Sequence, residues 1–305
     1  MTSLIPAIIN KKAGTAATAA KALAEGGGFE IHEVEPDAIR QIAKELVARK
    51  PKRILVAGGD GSICSVAHVL ANTGIELAIL PGGTLNHLAK HLGLPEDLGE
   101  AVKVARSGIT RTLDAGLVND RLFLNTSSVG AYEVFVRRRE KLERRWGYTI
   151  ASIVAGLRIL FRTPLTAVRV EVDGVEQVYR TPLVFVGVGE RELRIPSLGG
   201  RTDRGQRGLH LMIVRHRTGA RLAALALQAA AKGVDAIART PAMDSLVVQR
   251  CSIELRNDTA SIDGELIPVK TPLEYEFLPD ALTVVIPERR DRSRESDVER
   301  KDGVA

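Results

Sequence analysis

Two glycine-rich segments carry most of the chemistry open to this chain. Gly58-Gly59-Asp60-Gly61-Ser62 is the first and Pro81-Gly82-Gly83-Thr84-Leu85-Asn86-His87 the second; each follows a short apolar run. Glycine lacks a Cβ, so it reaches positive φ and lets backbone N–H groups come close to an anion. A helix starting just after such a turn adds unpaired donors and a partial positive charge, which makes phosphate its natural guest. Asp60 would repel bare phosphate, and it suits the cradle when a Mg²⁺ ion or a hydroxyl proton stands between them. One such segment is equally well read as a tight turn capped by Asp60; two in tandem favour a ligand. Neither a Walker-type Lys-Ser/Thr nor a Gly-x-Gly-x-x-Gly is present. Two smaller segments join the set. Asn10-Lys11-Lys12-Ala13-Gly14 is a polar turn, and Asp263-Gly264-Glu265 offers two carboxylates, although a charged hairpin turn has the same composition.

The elements around these residues follow from periodicity. Ile54–Ala57 reads as a buried strand, and Ile63, Val66, Ala67, Val69 and Leu70 as a helix face. Leu77–Leu80 repeats the strand, and a second helical pattern runs through Leu92. Both glycine segments thereby fall at the carboxyl ends of neighbouring parallel strands, where open α/β sheets bind ligands. Upstream, Leu4–Ile9 is a strand leading to a helix over residues 15–25. Glu30–Val34 is a strand, and Asp37–Lys50 a helix capped by Asp37 and stopped by Pro51. Leu98–Ser107 is one more helix.

From about Thr110 short alternating strands take over. They are expected at Arg111–Val118 and Arg121–Thr126 about an Asn119-Asp120 turn, then at Ala167–Val172, Glu176–Tyr179, Leu183–Val188, Leu209–Arg215, Ser252–Arg256 and Leu273–Phe277. Helical insertions are expected at Tyr132–Phe161, which opens with a basic, Trp146-containing cluster, and at Arg217–Ala238. Residues 201–208 read as a mobile loop. The expected organisation is an α/β nucleotide-binding domain over residues 1–110, an antiparallel β-sandwich over 111–287, and a charged, disordered tail over 288–305.

Composition narrows the partners. Apolar residues make up 45% and charged residues 26%, as in ordinary globular proteins. No apolar run approaches the roughly twenty residues needed to cross a bilayer, and no secretion signal is read at the N-terminus. Cys64 and Cys251 form no disulfide framework and read as buried thiols, so a cytoplasmic setting is expected. The net charge of +6 suits anionic lipid or nucleotide. Nucleic acid is not expected, because aromatics are only 4% and no helix-turn-helix or stacking motif occurs.

The pairing of Gly58–Ser62 with Pro81–His87 resembles the diacylglycerol kinase catalytic-domain family, which includes sphingosine and ceramide kinases and many bacterial lipid kinases. The resemblance implies a Rossmann-like parallel-sheet domain similar to that of NAD kinases and phosphofructokinases, an antiparallel second domain, and an active site in the cleft between them. It implies ATP bound by Asn10, Gly14, Gly58, Gly59, Asp60, Gly61, Ser62, Gly82, Gly83, Thr84 and Asn86, with Mg²⁺ near Asp60. Asp263 is then the acid that deprotonates a lipid hydroxyl, Glu265 lies near the phosphates or their metal, and Asp60 is an alternative base. The lipid enters at the membrane surface, which places the protein peripherally on the inner face; a homodimer is an allowed assembly.

Five departures from the family pattern are legible. Ser62 stands for Thr, His87 for a final Asp, and Lys11 for Pro. Where the family carries an acidic Asp-Gly-x-Leu segment that holds a structural Mg²⁺, this chain reads Arg204-Gly205-Gln206-Arg207-Gly208-Leu209-His210, with Asp203 too early. Gly187-Val188-Gly189-Glu190-Arg191 replaces a Gly-Asn-Asn of bacterial relatives. The expected activity is an ATP-dependent, diacylglycerol kinase-like lipid kinase. The alternatives are a kinase of a sphingoid base or soluble hydroxylated metabolite, and a nucleotide- or lipid-binding protein without catalysis.

Overall fold

Apolar runs too dense to alternate become strands covered on both faces. A computed structural model describes residues 4–83, 86–130, 166–193, 198–201, 205–214, 243–256 and 259–288. The expected insertions at Tyr132–Phe161 and Arg217–Ala238, and the tail from residue 289 onward, lie outside the described residues. The chain divides into two units, Met1–Thr112 with Thr283–Ala305, and Leu113–Leu282.

In the first unit β1 (Ile5–Asn10), β2 (Phe29–Val34), β3 (Arg53–Gly58) and β4 (Glu76–Pro81) form a parallel sheet in the order β2-β1-β3-β4. Thr283 and Val284, from the last part of β18 (Leu273–Ile286), pair in parallel with Glu76 and Leu77 of β4. Helices α1 (Ala16–Gly26) and α5 (Leu98–Ser107) bury Ala19, Leu23, Ala101, Val102 and Ala105 against Ala7, Ile9, Leu55, Ala57, Ala78 and Leu80. Helices α2 (Ile39–Ala48) and α3 (Asp60–Leu70) lie against each other and bury Ile39, Ala43, Leu46, Ile63, Val66 and Leu70. The short α4 (His87–His91) follows the second glycine segment. Arg53 is buried between Glu76, at 2.6 Å, and the carbonyls of Ala105 and Arg106, so one cation balances a carboxylate and the negative end of α5.

The start of α2 corrects the sequence reading. The helix begins at Ile39 with Ala38 as its N-cap and no side-chain cap, because Ala38 N–H donates to the Glu35 carbonyl and closes a turn over the residues where Asp37 was to act. At α5 the cap is of the usual kind: Asp97 Oδ1 accepts from Glu100 N–H at 2.8 Å.

The second unit contains an antiparallel sheet in the order β14-β13-β10-β7-β16-β17. Its strands are Met243–Val248, Leu209–Val214, Leu183–Val188, Thr126–Gly130, Thr259–Ile262 and Glu265–Pro268 respectively. The other layer contains β8 (Thr166–Val172), β9 (Val175–Thr181), β15 (Arg250–Leu255) and the earlier part of β18, antiparallel throughout. Strands β5 (Ile109–Val118) and β6 (Arg121–Phe123) pair with each other, and β5 with β18. A two-stranded piece, β11 (Arg191–Leu193) and β12 (Leu198–Arg201), stands apart. Val129, Val184, Val186, Leu209, Leu211 and Ile262 from one layer share a core with Val168, Val170, Ile253, Leu273 and Tyr275 from the other. Such burial stabilises by about 1.5–3 kcal/mol per large side chain. At its centre Ser127 Oγ and Tyr275 OH are hydrogen-bonded at 2.9 Å, and Phe123 meets Tyr275 edge to face.

Two more expectations change here. The strand expected over Arg121–Thr126 divides into β6 and β7, because the amides of Leu124, Asn125 and Thr126 bend onto a carboxylate from another hairpin. Gly205–Gly208, expected to be mobile, is tied by Gly189 N–H to the Gly208 carbonyl, Glu190 N–H to the Gln206 carbonyl, and Gln206 N–H to Glu190 Oε2. Of the two thiols, Cys251 is buried and pushed up to about 12 by burial, whereas Cys64 is only half-buried. Among the described residues no helix is long and apolar enough to cross a membrane.

Candidate active site

The two glycine segments of the first unit touch. β3 delivers Gly58 and β4 delivers Pro81 in direct register, and Gly82 N–H donates to the Gly58 carbonyl at 2.9 Å. Beyond that bond the backbones are too close for side chains. A Cβ on Gly83 would stand 2.6 Å from Gly59 Cα, and one on Gly82 would meet Thr15 Oγ1 at 2.7 Å and Gly58 Cα at 3.0 Å. Neither pair has a positive φ among the residues that do; Gly59, the N-cap of α3, is at −82°. Glycine is required at these positions by close approach of the two backbones and not, as expected, by left-handed conformation.

α3 starts at Asp60, its N-cap makes no side-chain hydrogen bond, and its first intrahelical bond runs from Ile63 N–H to the Gly59 carbonyl. The N–H groups ahead of Ile63 have no partner within the helix and point out of its positive end. The buried Ser62 hydroxyl accepts from Asn10 Nδ2 at 2.8 Å, and Asn10 Oδ1 accepts from Lys12 N–H at 2.9 Å. Asn10, Gly58, Gly59, Gly61 and Ser62 are thus brought together with Gly82 and Gly83. Gly14 lies in the exposed turn ahead of α1, with open space where a Cβ would be. Asn86 adopts the left-handed conformation at φ 49° and folds back, Oδ1 accepting from Gly83 N–H and Nδ2 donating to the Gly83 carbonyl, both at 2.8 Å. Thr84 lies outside the described residues.

Asp60 does not cap its own helix. Its oxygens accept from His87 N–H at 3.2 Å and Leu88 N–H at 3.4 Å, across to the start of α4. Because residue 87 is reached through its backbone, histidine in place of aspartate leaves this contact intact. The link from Asp60 to α4, and Thr15 beneath Gly82, carry no motif and were not anticipated from sequence.

Asp263 and Glu265 belong to the second unit, Asp60 and the glycine segments to the first. Asp263 and Gly264 form a two-residue hairpin between Ile262 and Glu265, with φ of 48° and 90°, the pattern Asp-Gly favours. Asp263 Oδ1 accepts from Asn125 and Thr126 N–H at 2.8 and 2.9 Å, and Oδ2 from Leu124 N–H at 2.8 Å. Arg191 fixes the same loop by donating to Asn125 Oδ1 at 2.6 Å and to its carbonyl at 2.5 Å. Glu265 is exposed at the start of β17. No sequence signal pointed to Asn125, and Arg191 stood out only as the end of the Gly187–Arg191 segment, with no role assigned to it.

Residues 5–118 match the family model described as the diacylglycerol kinase catalytic domain. The matched stretch takes in both glycine segments and all of β1 to β5. The chain is 35% identical over 136 residues to the diacylglycerol kinase of Bacillus subtilis (strain 168), covering 43% of this chain and 45% of that protein. It is 31% identical over 170 residues to the protein named "Probable lipid kinase YegS-like" in Klebsiella pneumoniae (strain 342), covering 53% and 56%. An uncharacterised protein of Synechocystis sp. is 27% identical over 242 residues, 77% of this chain and 54% of that one. The chain therefore spans about half the length of the curated relatives it matches. A crystal structure of a diacylglycerol kinase from Bacillus anthracis str. Sterne has the same fold, with a TM-score of 0.65 at 24% identity over 93% of this chain and 97% of that one. Another solved structure from that organism reaches 0.70 at 23%, with the same coverage.

Proposed function

We propose that the protein is an ATP-dependent lipid kinase that transfers the γ-phosphoryl group to the hydroxyl of a diacylglycerol-like lipid. The observation that carries this reading is the contact between Gly59 and Gly83, which sets two backbone turns side by side at the open N-terminus of α3. Donors so arranged suit a polyphosphate. Asn10 and Ser62 line the same turn, and Asn86 holds the second turn in shape.

Among the described residues no group of three or more His, Cys, Asp or Glu gathers to hold a metal by itself. A Mg²⁺ ion accompanying ATP suits Asp60 all the same, a half-buried carboxylate with two long hydrogen bonds, because Mg²⁺ takes one or two carboxylates together with phosphate oxygens and water. When bound, the ion offsets phosphate charge. Asp263 is the proposed acceptor of the lipid hydroxyl proton, with Asp60 the competing one, and Glu265 is the proposed partner of the phosphates or their metal. The lipid oxygen forms the new bond to phosphorus as the bond to the departing ADP breaks, and the protein's share is positioning and charge stabilisation. The net charge of +6 favours work at an anionic membrane surface on the cytoplasmic side.

Incubation with labelled ATP, Mg²⁺ and a mixed lipid extract, with and without anionic vesicles, tests the reading. A labelled diacylglycerol phosphate whose yield rises with vesicles is expected. A labelled sphingoid base or water-soluble product would move the substrate class, and no labelled product under any condition would overturn the kinase reading.

A further inference from the structure

The family resemblance implies a structural Mg²⁺ held by an acidic residue in the segment that corresponds to Arg204–His210. Gly205–His210 contains no carboxylate, and its charged side chain turns onto two acids from elsewhere in the second unit. Arg207 Nε and Nη2 lie 3.3 and 2.5 Å from Asp114 Oδ2 and Oδ1, and Nη2 lies 2.8 Å from Asp280 Oδ2. Asp114 Oδ1 also accepts from Asp280 N–H at 3.0 Å. A divalent cation needs oxygen atoms directed at it, whereas a guanidinium offers five donors and no acceptor. The residues present do not fit the ion.

We infer that the Arg207 guanidinium is a built-in replacement for that ion, the permanent counter-charge of Asp114 and Asp280, so that the second unit is held together here without a divalent metal. Three separate pieces of chain meet at it: β5 through Asp114, the turn before β13 through Arg207, and β18 through Asp280. Without a cation the two carboxylates would repel. The guanidinium meets Asp114 through two adjacent nitrogens, the fork geometry that arginine alone provides. Asp114 is sheltered, with 14% of its side chain exposed, although Arg207 and Asp280 are about half exposed, so water and salt weaken the arrangement without abolishing it. The arginine's backbone is fixed as well, its carbonyl accepting from Gln249 Nε2 at 3.0 Å. Both carboxylates hold the guanidinium in its charged form.

The inference concerns the nucleotide-free protein and stands apart from the kinase reading. Thermal unfolding of the full chain without nucleotide, in excess EDTA and in excess MgCl₂ at matched ionic strength, tests it. The wild-type melting temperature is expected to be the same in both. Arg207→Ala is expected to melt about 2–4 °C lower in EDTA and to regain part of that loss when Mg²⁺ is supplied. Should that variant fail to fold, Arg207→Lys, which keeps the charge but loses the fork, is expected to melt between the two. Two results would overturn the inference: wild type destabilised by EDTA in a manner abolished by Asp114→Asn, or Arg207 variants that melt like wild type in EDTA.

Discussion

Asp263 and Thr126 are joined in both directions: Asp263 N–H donates to the Thr126 carbonyl at 2.7 Å, while Thr126 N–H donates to Asp263 Oδ1 at 2.9 Å. The residue proposed as the base is thus also the anchor of the Leu124–Thr126 loop. Asp263→Asn sets an amide NH₂ against backbone donors and leaves at least one of them short of an acceptor. We expect stability to fall by about 1–3 kcal/mol, read by urea unfolding. Turnover of the folded fraction should fall by about 10²–10⁴, the usual worth of general-base help, with nucleotide affinity little changed. A variant that melts lower yet turns over like wild type would remove Asp263 from the base role and leave it the anchor.

Gly83→Ala probes the glycine contact. The added methyl would stand 2.6 Å from Gly59 Cα, which is backbone and cannot swing aside. The turns must part, at about 1–3 kcal/mol in stability, and calorimetric ATP titration should show binding weakened by at least about tenfold, or 1.4 kcal/mol. Unchanged ATP binding in Gly83→Ala would detach the glycine contact from nucleotide binding.

Asp60→Asn separates the metal role from the loop contact. Asparagine can keep one acceptor for the amides of His87 and Leu88 but loses the charge. Binding of ATP should lose its dependence on Mg²⁺ while the melting temperature without ligand stays within a few degrees of wild type. Titrations in Mg²⁺ and in EDTA that still differ as in wild type would sink the assignment.

The contrast between Asp60 and Arg207 shows which parts of the site could be read in advance. The strand–turn–helix units and the pairing of the glycine segments were legible because apolar periodicity and glycine are local signals. The hairpin at Asp263-Gly264 was legible for the same reason. What those residues bond to was not. Leu124, Asn125, Asp280 and Gln249 lie far away in sequence from the groups they meet, and their contacts depend on how distant strands register. The misplaced cap at Asp37 and the undivided strand over Arg121–Thr126 failed alike, since a turn in one case and a carboxylate in the other took the backbone donors.

His210 gives the fold an acid-side dependence. Burial lowers its pKa from the ordinary 6.5, Arg191 pushes the same way and Glu190 opposes. Nδ1 accepts from Arg191 N–H at 2.9 Å, so Nε2 carries the proton and donates to Ser245 Oγ at 2.7 Å. Below about pH 6.5 the unfolded chain takes up a proton that the folded one refuses, so this contribution is intact above that pH and is lost as pH falls. Unfolding free energy should drop on acidification, with up to about 1.4 kcal/mol per pH unit due to this one group. His210→Gln should flatten that part of the profile, and an unchanged slope would exclude the residue as its source.

Thr283 and Val284 reach β4 from very late in the chain, and this has a bearing on biogenesis. While the ribosome is still making the β-rich half, the Glu76–Pro81 strand emerges with one side lacking its neighbour, a template on which nascent chains can stick to one another. Protein fragments that stop short of Thr283 inherit the same bare flank. An expression product meant to isolate the first unit therefore needs residues 283–286 supplied, by fusion or as a peptide, to behave as a self-contained body.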